Sequence, residues 1–194
     1  LAEENSAREG GAFAVELESH LVLPPRASRL AHNSAVDGGA IHISGQVLVE
    51  MNGCVLRNNT ASSDGGAIFL RGLSSTTFVK LTDLQFVHNT AGGHGGAVRM
   101  SDVVLDNGCF LQHSIFHSNK AGQGGGAVHL DSPAAVCTAD YRDNAASFGT
   151  NMATPPKKVV LLDYTVCAEE YERDQAMSPE SACTLQVTAG EPLP

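Results

Sequence analysis

The sequence predicts an all-β solenoid, a parallel β-helix of about five to six coils, and three observations carry that prediction. One phrase recurs through the chain: an Asn, a few small residues, Gly-Gly-Ala, then an aliphatic run. Asn5, Asn33, Asn59, Asn89, Asn119 and Asn144 open successive copies 25 to 30 residues apart, which is the period of a repeat array. Each period also holds three short β-type runs parted by Gly, Ser or Asn, such as Ala40-Ile41-His42-Ile43, Val47-Leu48-Val49-Glu50 and Cys54-Val55-Leu56-Arg57. No stretch of the repeats sustains a 3.6-residue apolar period, so crossover helices have no place. Three strands per coil, stacked about 4.8 Å apart, would make three parallel sheets around one core.

Alignment on the Asn assigns the faces of each strand. Three residues before it stand Leu30, Leu56, Phe86, Phe116 and Tyr141, an inward stack of large side chains. Two residues before it stand Ala31, Arg57, Val87, His117 and Arg142, a mixed set suited to the outside. After Gly-Gly-Ala, Phe13, Ile41, Ile68, Val98 and Val128 read as inward, and so do Val15, Ile43, Leu70, Met100 and Leu130. The positions between them, Ala14, His42, Phe69, Arg99 and His129, read as outward by period-2 alternation.

The punctuating residues have physical roles in this scheme. Asn33, Asn59, Asn89, Asn119 and Asn144 are expected to stack at one turn as an amide ladder. The turn glycines, Gly38-Gly39, Gly65-Gly66, Gly95-Gly96 and Gly125-Gly126, supply positive φ and let backbone pass closely over the core. Residues 1–154 are therefore expected to form the β-helix. Pro155-Pro156 ends the pattern. Residues 155–194 are expected to form a short irregular cap: a strand at Val159-Val160-Leu161-Leu162 over the open end, an acidic loop, and a linker to a following module.

Composition removes several function classes. The net charge of −9 leaves no basic stripe for nucleic acid and no attraction to an anionic membrane. No run of 18 apolar residues is present to cross a bilayer. No charged n-region and apolar h-region open the sequence, so a signal peptide is expected to be absent or already removed, and the chain is expected to be a segment of a longer protein. Nothing in the sequence calls for a cofactor.

Candidate sites are few. A glycosidase needs two carboxylates roughly 5–9.5 Å apart. Glu16 and Asp131, outward after Gly-Gly-Ala, stand four coils apart, about 19 Å at 4.8 Å per coil. His42 and His129 are three coils apart, about 14 Å, too far to share a metal. Glu9, Asp37 and Asp64 stand one per coil immediately before Gly-Gly, followed by His94. Three stacked carboxylates are a candidate Ca²⁺ site. The alternative is that each caps its turn by accepting Gly N–H bonds, which is favoured because Gly124 replaces the acid without disturbing the motif.

Of the five cysteines, Cys54 falls on an inward column of small residues and is expected to be a buried free thiol. Cys167 and Cys183 flank the acidic loop and are expected to close it. Cys109 and Cys137 can bridge neighbouring coils only if the longer fourth loop brings them into line. Disulfides imply an oxidising compartment. Asn58-Asn59-Thr60 is a glycosylation sequon with Asn58 as acceptor.

The repeats resemble those of the chlamydial polymorphic outer-membrane proteins, defined by paired Phe-x-x-Asn and Gly-Gly-Ala-(Ile/Leu/Val) motifs. Phe86-Val87-His88-Asn89 and Phe116-His117-Ser118-Asn119 match the first motif fully, and four Gly-Gly-Ala copies are followed by Ile or Val. Similar repeats occur in large surface proteins of algae and other protists, whose last coil decays in the manner of Phe148-Gly149-Thr150-Asn151-Met152-Ala153-Thr154-Pro155. The resemblance implies a right-handed β-helix on a cell surface, reached by the secretory pathway and often adhesive. The expected function is a non-enzymatic extracellular or cell-surface scaffold or adhesion segment, offering flat faces to other protein modules or subunits and to glycans. The alternatives are an accessory structural subunit of a large assembly and a polysaccharide-active β-helix enzyme.

Overall fold

A computed structural model of the chain describes residues 1–24, 28–73, 77–103, 109–131, 135–136, 138–154, 157–160 and 184–187. These residues contain strands and turns and no helix. They wind into a parallel β-solenoid of about five turns.

Each coil visits four sheets rather than three. Sheet 1 has six strands and precedes the Asn: Ala2–Glu3, Arg29–Ala31, Val55–Arg57, Gln85–Val87, Ser114–His117 and Ala139–Arg142. Sheet 2 follows the Asn, with Ser34–Ala35, Thr60–Ala61, Thr90–Ala91 and Lys120–Ala121. Sheet 3 follows Gly-Gly-Ala: Phe13–Glu16, Ile41–Ser44, Ile68–Arg71, Val98–Ser101, Val128–Leu130 and Met152–Ala153. Sheet 4 closes the coil with His20–Leu23, Leu48–Asn52, Phe78–Thr82, Cys109–Gln112 and Ala135–Val136. Sheet 2 is the one that the sequence does not announce. Its strands are two residues long, too short to carry an alternation signal. The Ala of each is buried and the residue before it faces outward.

Register keeps like over like. Leu30, Leu56, Phe86, Phe116 and Tyr141 lie in one column of sheet 1. The Phe86 and Phe116 rings stack at 4.7 Å with 3° between planes, and Tyr141 stacks on Phe116 at 5.2 Å. Such pairs add about 0.5–1.5 kcal/mol beyond the area they bury. Ile41, Ile68, Val98 and Val128 form a second core column, and Ile43, Leu70, Met100 and Leu130 a third. Val49-Met51 and Val79-Leu81 bring sheet 4 onto the same core.

Two expected exposures are corrected. His42, Phe69, Arg99 and His129 point away from the core column yet are all buried. The turn before Gly-Gly folds over the outer side of sheet 3, so a turn residue of one coil covers the strand residue of the next. Glu9 lies over His42 in this way, Asp64 over Arg99 and His94 over His129. Ala31 is also buried, because the longer side chains of its register partners Glu3 and Arg57 flank it.

Coil length varies mainly at one corner, between sheets 3 and 4, where the connections are 45–47, 72–77, 102–108 and 131–134. Beyond the coils, Lys157–Val160 pairs antiparallel with Thr184–Val187. The acidic loop expected between them lies outside the described residues.

Candidate functional site

The most ordered polar feature is the column of asparagines. Asn89 shows its wiring. Its Oδ1 accepts from the backbone N–H of Asn59 at 3.1 Å and from Asn59 Nδ2 at 3.0 Å. Its Nδ2 donates to Leu56 O at 3.0 Å and to Asn119 Oδ1 at 2.9 Å. The same pattern links Asn5, Asn33, Asn59, Asn119 and Asn144. The amide orientation has one solution, because a flipped amide would set Oδ1 against a carbonyl and Nδ2 against a backbone N–H. Every amide dipole points the same way along the axis, an arrangement in which hydrogen bonds polarise one another.

The residue before each Asn is left-handed. Glu4, His32, Asn58, His88, Ser118 and Asp143 all have φ between 53° and 58°. Asn, Asp and His tolerate this region best among non-glycine residues, and four of the six are of those types. That bias was readable in the sequence and is the signal that marks the column.

The two turn glycines answer different needs. The first of each pair adopts positive φ, +63° at Gly38 and +66° at Gly95. The second lets coils approach. A Cβ at Gly39 would lie 2.2 Å from Gly66 O, and one at Gly96 would lie 2.1 Å from Gly126 O.

The acids before Gly-Gly bond to the following coil. Asp37 Oδ1 accepts the backbone N–H of Asp64 at 3.2 Å, and Asp64 Oδ1 accepts that of His94 at 2.7 Å. The acceptor therefore serves the same turn position one coil on, where Gly N–H donors were expected. Glu9 Oε2 instead lies 3.6 Å from His42 Nδ1. Among the described residues, no group of three or more His, Cys, Asp or Glu is placed to hold a metal ion.

Asp64 leads into a charged cluster over sheet 3 that the sequence reading missed, since it treated these strand positions as independent outward residues. Arg99 lies between two carboxylates: Nη1 is 2.7 Å from Asp131 Oδ1, and Nε is 3.8 Å from Asp64 Oδ2. Nη1 also donates to Met100 O at 2.6 Å and lies 2.9 Å from His129 Nδ1. Arginine has no acceptor, so Nδ1 of His129 accepts and its proton sits on Nε2. Burial pushes the His129 pKa down to about 4, helped by Arg99 and His94 and opposed by Asp131 and Asp64. Burial works to raise the Asp131 carboxyl, but hydrogen bonds from Arg99 and Ser101 outweigh it and hold the group below its usual value. His94 and Phe148 set their rings edge-on to His129. The cluster ties together the turns and strands of the coils opened by Asn59, Asn89 and Asn119. Glu16 and Asp131 share a register line of sheet 3 but stand four coils apart, and Asp131 is engaged with Arg99.

Sheet 4 carries exposed side chains on its outer face. His20, Leu48 and Phe78 share one outward column, and Val22, Glu50 and Lys80 share the next. Val22 and Phe78 are well exposed.

Cys54 is a buried free thiol on the column of Ser28, Leu84, Ser114 and Ala139. Burial pushes its pKa up, against weaker opposing bonds from Ser28 and Asn52. Cys137, Cys167 and Cys183 lie outside the described residues, and only the backbone of Cys109 is described, in the strand Cys109–Gln112. Asn58 is half-buried at its left-handed corner, with Nδ2 3.4 Å from His32 Nε2.

Residues 53–71 match the Chlamydia polymorphic membrane protein repeat. The match covers one coil of the solenoid. The matched stretch of this polymorphic-membrane-protein-type repeat runs through the buried Leu56, the ladder rung Asn59 and the glycine pair Gly65-Gly66, ending on the strand Ile68–Arg71. The family is one of surface and outer-membrane proteins. No curated protein and no solved structure matches the chain.

Proposed function

We propose that the solenoid is a non-enzymatic cell-surface scaffold, a segment that spaces neighbouring modules and offers flat sheet faces to protein or glycan partners. The observation that carries this reading is where the repeat's polar side chains are directed. The ladder amides, the turn acids and the Asp64–His94–Arg99–His129–Asp131 cluster all bond to adjacent coils. They stiffen the rod and leave contact with partners to the outer columns, such as His20-Leu48-Phe78 on sheet 4. The match of residues 53–71 to a surface-protein repeat supports the same reading.

The test is non-permeant biotinylation of intact cells that make the protein, followed by capture with an antibody to the solenoid. Labelling before lysis is the expected result. A solenoid labelled only after lysis overturns the surface assignment.

A further inference from the structure

At the corner between sheets 1 and 2, side chains from three successive coils meet beside the ladder. His117 pairs in register with Val87 on one side and with Arg142 on the other. The residues after those two partners, His88 and Asp143, hold the left-handed position before a ladder Asn, with φ of 55° and 53°. His117 is therefore flanked by His88 from one neighbouring coil and by Asp143 from the other. The His88 and His117 rings have centroids 5.8 Å apart and are tilted 43° to each other. His117 Nε2 lies 3.4 Å from Asp143 Oδ2. The place is open to ions, since His88 is half-buried and the side chains of His117 and Asp143 are 43% and 79% exposed.

Metal–nitrogen bonds of about 2.0–2.1 Å let two imidazoles share one cation with ring centroids about 5–6 Å apart. The separation of His88 and His117 already falls in that range. Asp143 supplies the orientation that such ligands need. A carboxylate beside Nε2 holds the His117 proton there and leaves the Nδ1 lone pair for a metal, as carboxylates do for ligating imidazoles in general. Arg142, the cation on the register line of His117, pairs with Asp140. A second pair of histidine rings in contact, His94 and His129, offers no such place: His129 is buried, and its Nδ1 already faces Arg99 at 2.9 Å. His88 and His117 are two ligands, short of the group of three that no described cluster reaches, so water completes the shell. Imidazole selects late first-row cations, whereas Ca²⁺ and Mg²⁺ take oxygen ligands. The pair is thus distinct in place and in chemistry from the carboxylates Glu9, Asp37 and Asp64.

We propose that His88 and His117 form an open surface site for one late first-row divalent cation, Zn²⁺, Ni²⁺ or Cu²⁺, with Asp143 as its positioning residue. Of the three, Cu²⁺ binds most tightly, following the general order for nitrogen ligands. The same diagonal between coils reads His32–Arg57, Asn58–Val87 and Ser118–Arg142 elsewhere, so the site belongs to one place in the stack.

The experiment follows the ring signals of all 8 histidines by NMR in the full chain while Ni²⁺, a paramagnetic probe, is added. Below one equivalent, the His88 and His117 signals are expected to broaden together and ahead of the rest. Uniform broadening, or broadening led by other histidines, overturns the proposal. His88→Asn and His117→Val borrow the residues that neighbouring coils carry on the same columns, Asn58 and Val87, so the fold should accept them. Either is expected to raise the Ni²⁺ needed to broaden the remaining ring by about tenfold or more; an unchanged requirement overturns the shared site. Asp143→Asn keeps the size of the side chain and removes its charge. It is expected to weaken Ni²⁺ binding by about tenfold and to redistribute the His117 proton between Nε2 and Nδ1, which the ring nitrogen shifts read directly. An unchanged tautomer with undiminished binding overturns the part given to Asp143. Should a variant lose the amide spectrum of the parent, the titration of the parent alone decides between a shared site and none.

Discussion

The corner between sheets 1 and 3 and the corner between sheets 3 and 4 solve the same problem, turning a chain between stacked strands, under opposite constraints. At the first, the coils opened by Asn33, Asn59, Asn89 and Asn119 each carry Asn, a two-residue strand and Gly-Gly within a nearly fixed length, and coils touch backbone to backbone. At the second, connections range from 45–47 to 102–108, and the turn residue itself changes from Leu17 to Gly45, Gly72 and Asp102, all with positive φ. A solenoid needs one line along which adjacent coils are held at strand spacing. Where that line exists, each residue is fixed by its counterparts above and below. Where it does not, the chain can lengthen toward solvent at little cost, since loop-closure entropy grows slowly with length.

The largest expected effects lie on the ladder side. Asn89→Ala removes the acceptor of two buried donors and the donor of two buried acceptors. Leaving buried polar groups unpaired costs about 1–3 kcal/mol each, so a loss of about 3–5 kcal/mol is expected in a urea titration. Asn89→Asp should be as harmful despite its shape, because a carboxylate oxygen would face Leu56 O and Asn119 Oδ1. A well-tolerated Asp would show that amide direction does not matter.

Phe86→Ala comes next. Phe86 is fully buried between Leu56 and Phe116 in register. Truncating a buried Phe costs about 3–5 kcal/mol. This value tests packing along the same corner without touching its hydrogen bonds. If it fell below that of an exposed position such as Phe78→Ala, the assignment of the core column would be wrong.

How much of this was legible depends on whether a residue's role repeats. The Asn column, the glycine pair and the Leu56-Phe86-Phe116 stack recur coil after coil, so alignment of the chain on itself revealed them. Arg99 does not recur in kind, and His129 recurs only at His42, two strands away from Arg99. Their column reads Ala14, His42, Phe69, Arg99, His129, and nothing in it announces that turn residues thirty-odd positions away fold over it. Period-2 alternation told which way these side chains point. It could not tell that the neighbouring coil's turn covers them.

The charged cluster predicts a pH dependence of intermediate size. Folded His129 stays neutral down to about pH 4, while in the unfolded chain it takes up a proton near pH 6.5. Its lowered pKa therefore contributes no loss above pH 6.5, and destabilises progressively as pH falls from 6.5 toward 4, by up to about 3 kcal/mol. Asp131 acts in the same direction at lower pH: its depressed pKa adds stability at neutral pH that is lost as pH falls from the ordinary carboxylate value through its lower folded value. Arg99→Met removes a charge that holds His129 down, so the acid slope between pH 6.5 and 4 should flatten. It should also cost about 2 kcal/mol at pH 7, since Asp64 and Asp131 lose their shared cation while remaining partly solvated. Urea titrations at pH 7 and 4.5 on both proteins, with the His129 imidazole followed by NMR, read all three quantities. An unchanged slope would place the acid sensitivity elsewhere.

The smallest expected effect sharpens the comparison most, because it holds backbone conformation constant. Gly65 and Gly72 have nearly the same φ, +65° and +59°. A Cβ at Gly65 would lie 2.4 Å from Ile68 O, whereas one at Gly72 would meet nothing within 4 Å. Asn is the side chain that best tolerates left-handed φ, and Asp102, on the register line of Gly72, already does so at φ 52°. Gly72→Asn should therefore change stability by no more than about 0.5 kcal/mol, the range of ordinary surface substitutions. Gly65→Asn should cost about 3 kcal/mol or more, as forced overpacking does. Equal losses at the two sites would mean that positive φ alone selects these glycines. A large gap would assign the strictness of the ladder side to the closeness of its coils, with backbone conformation a lesser cause.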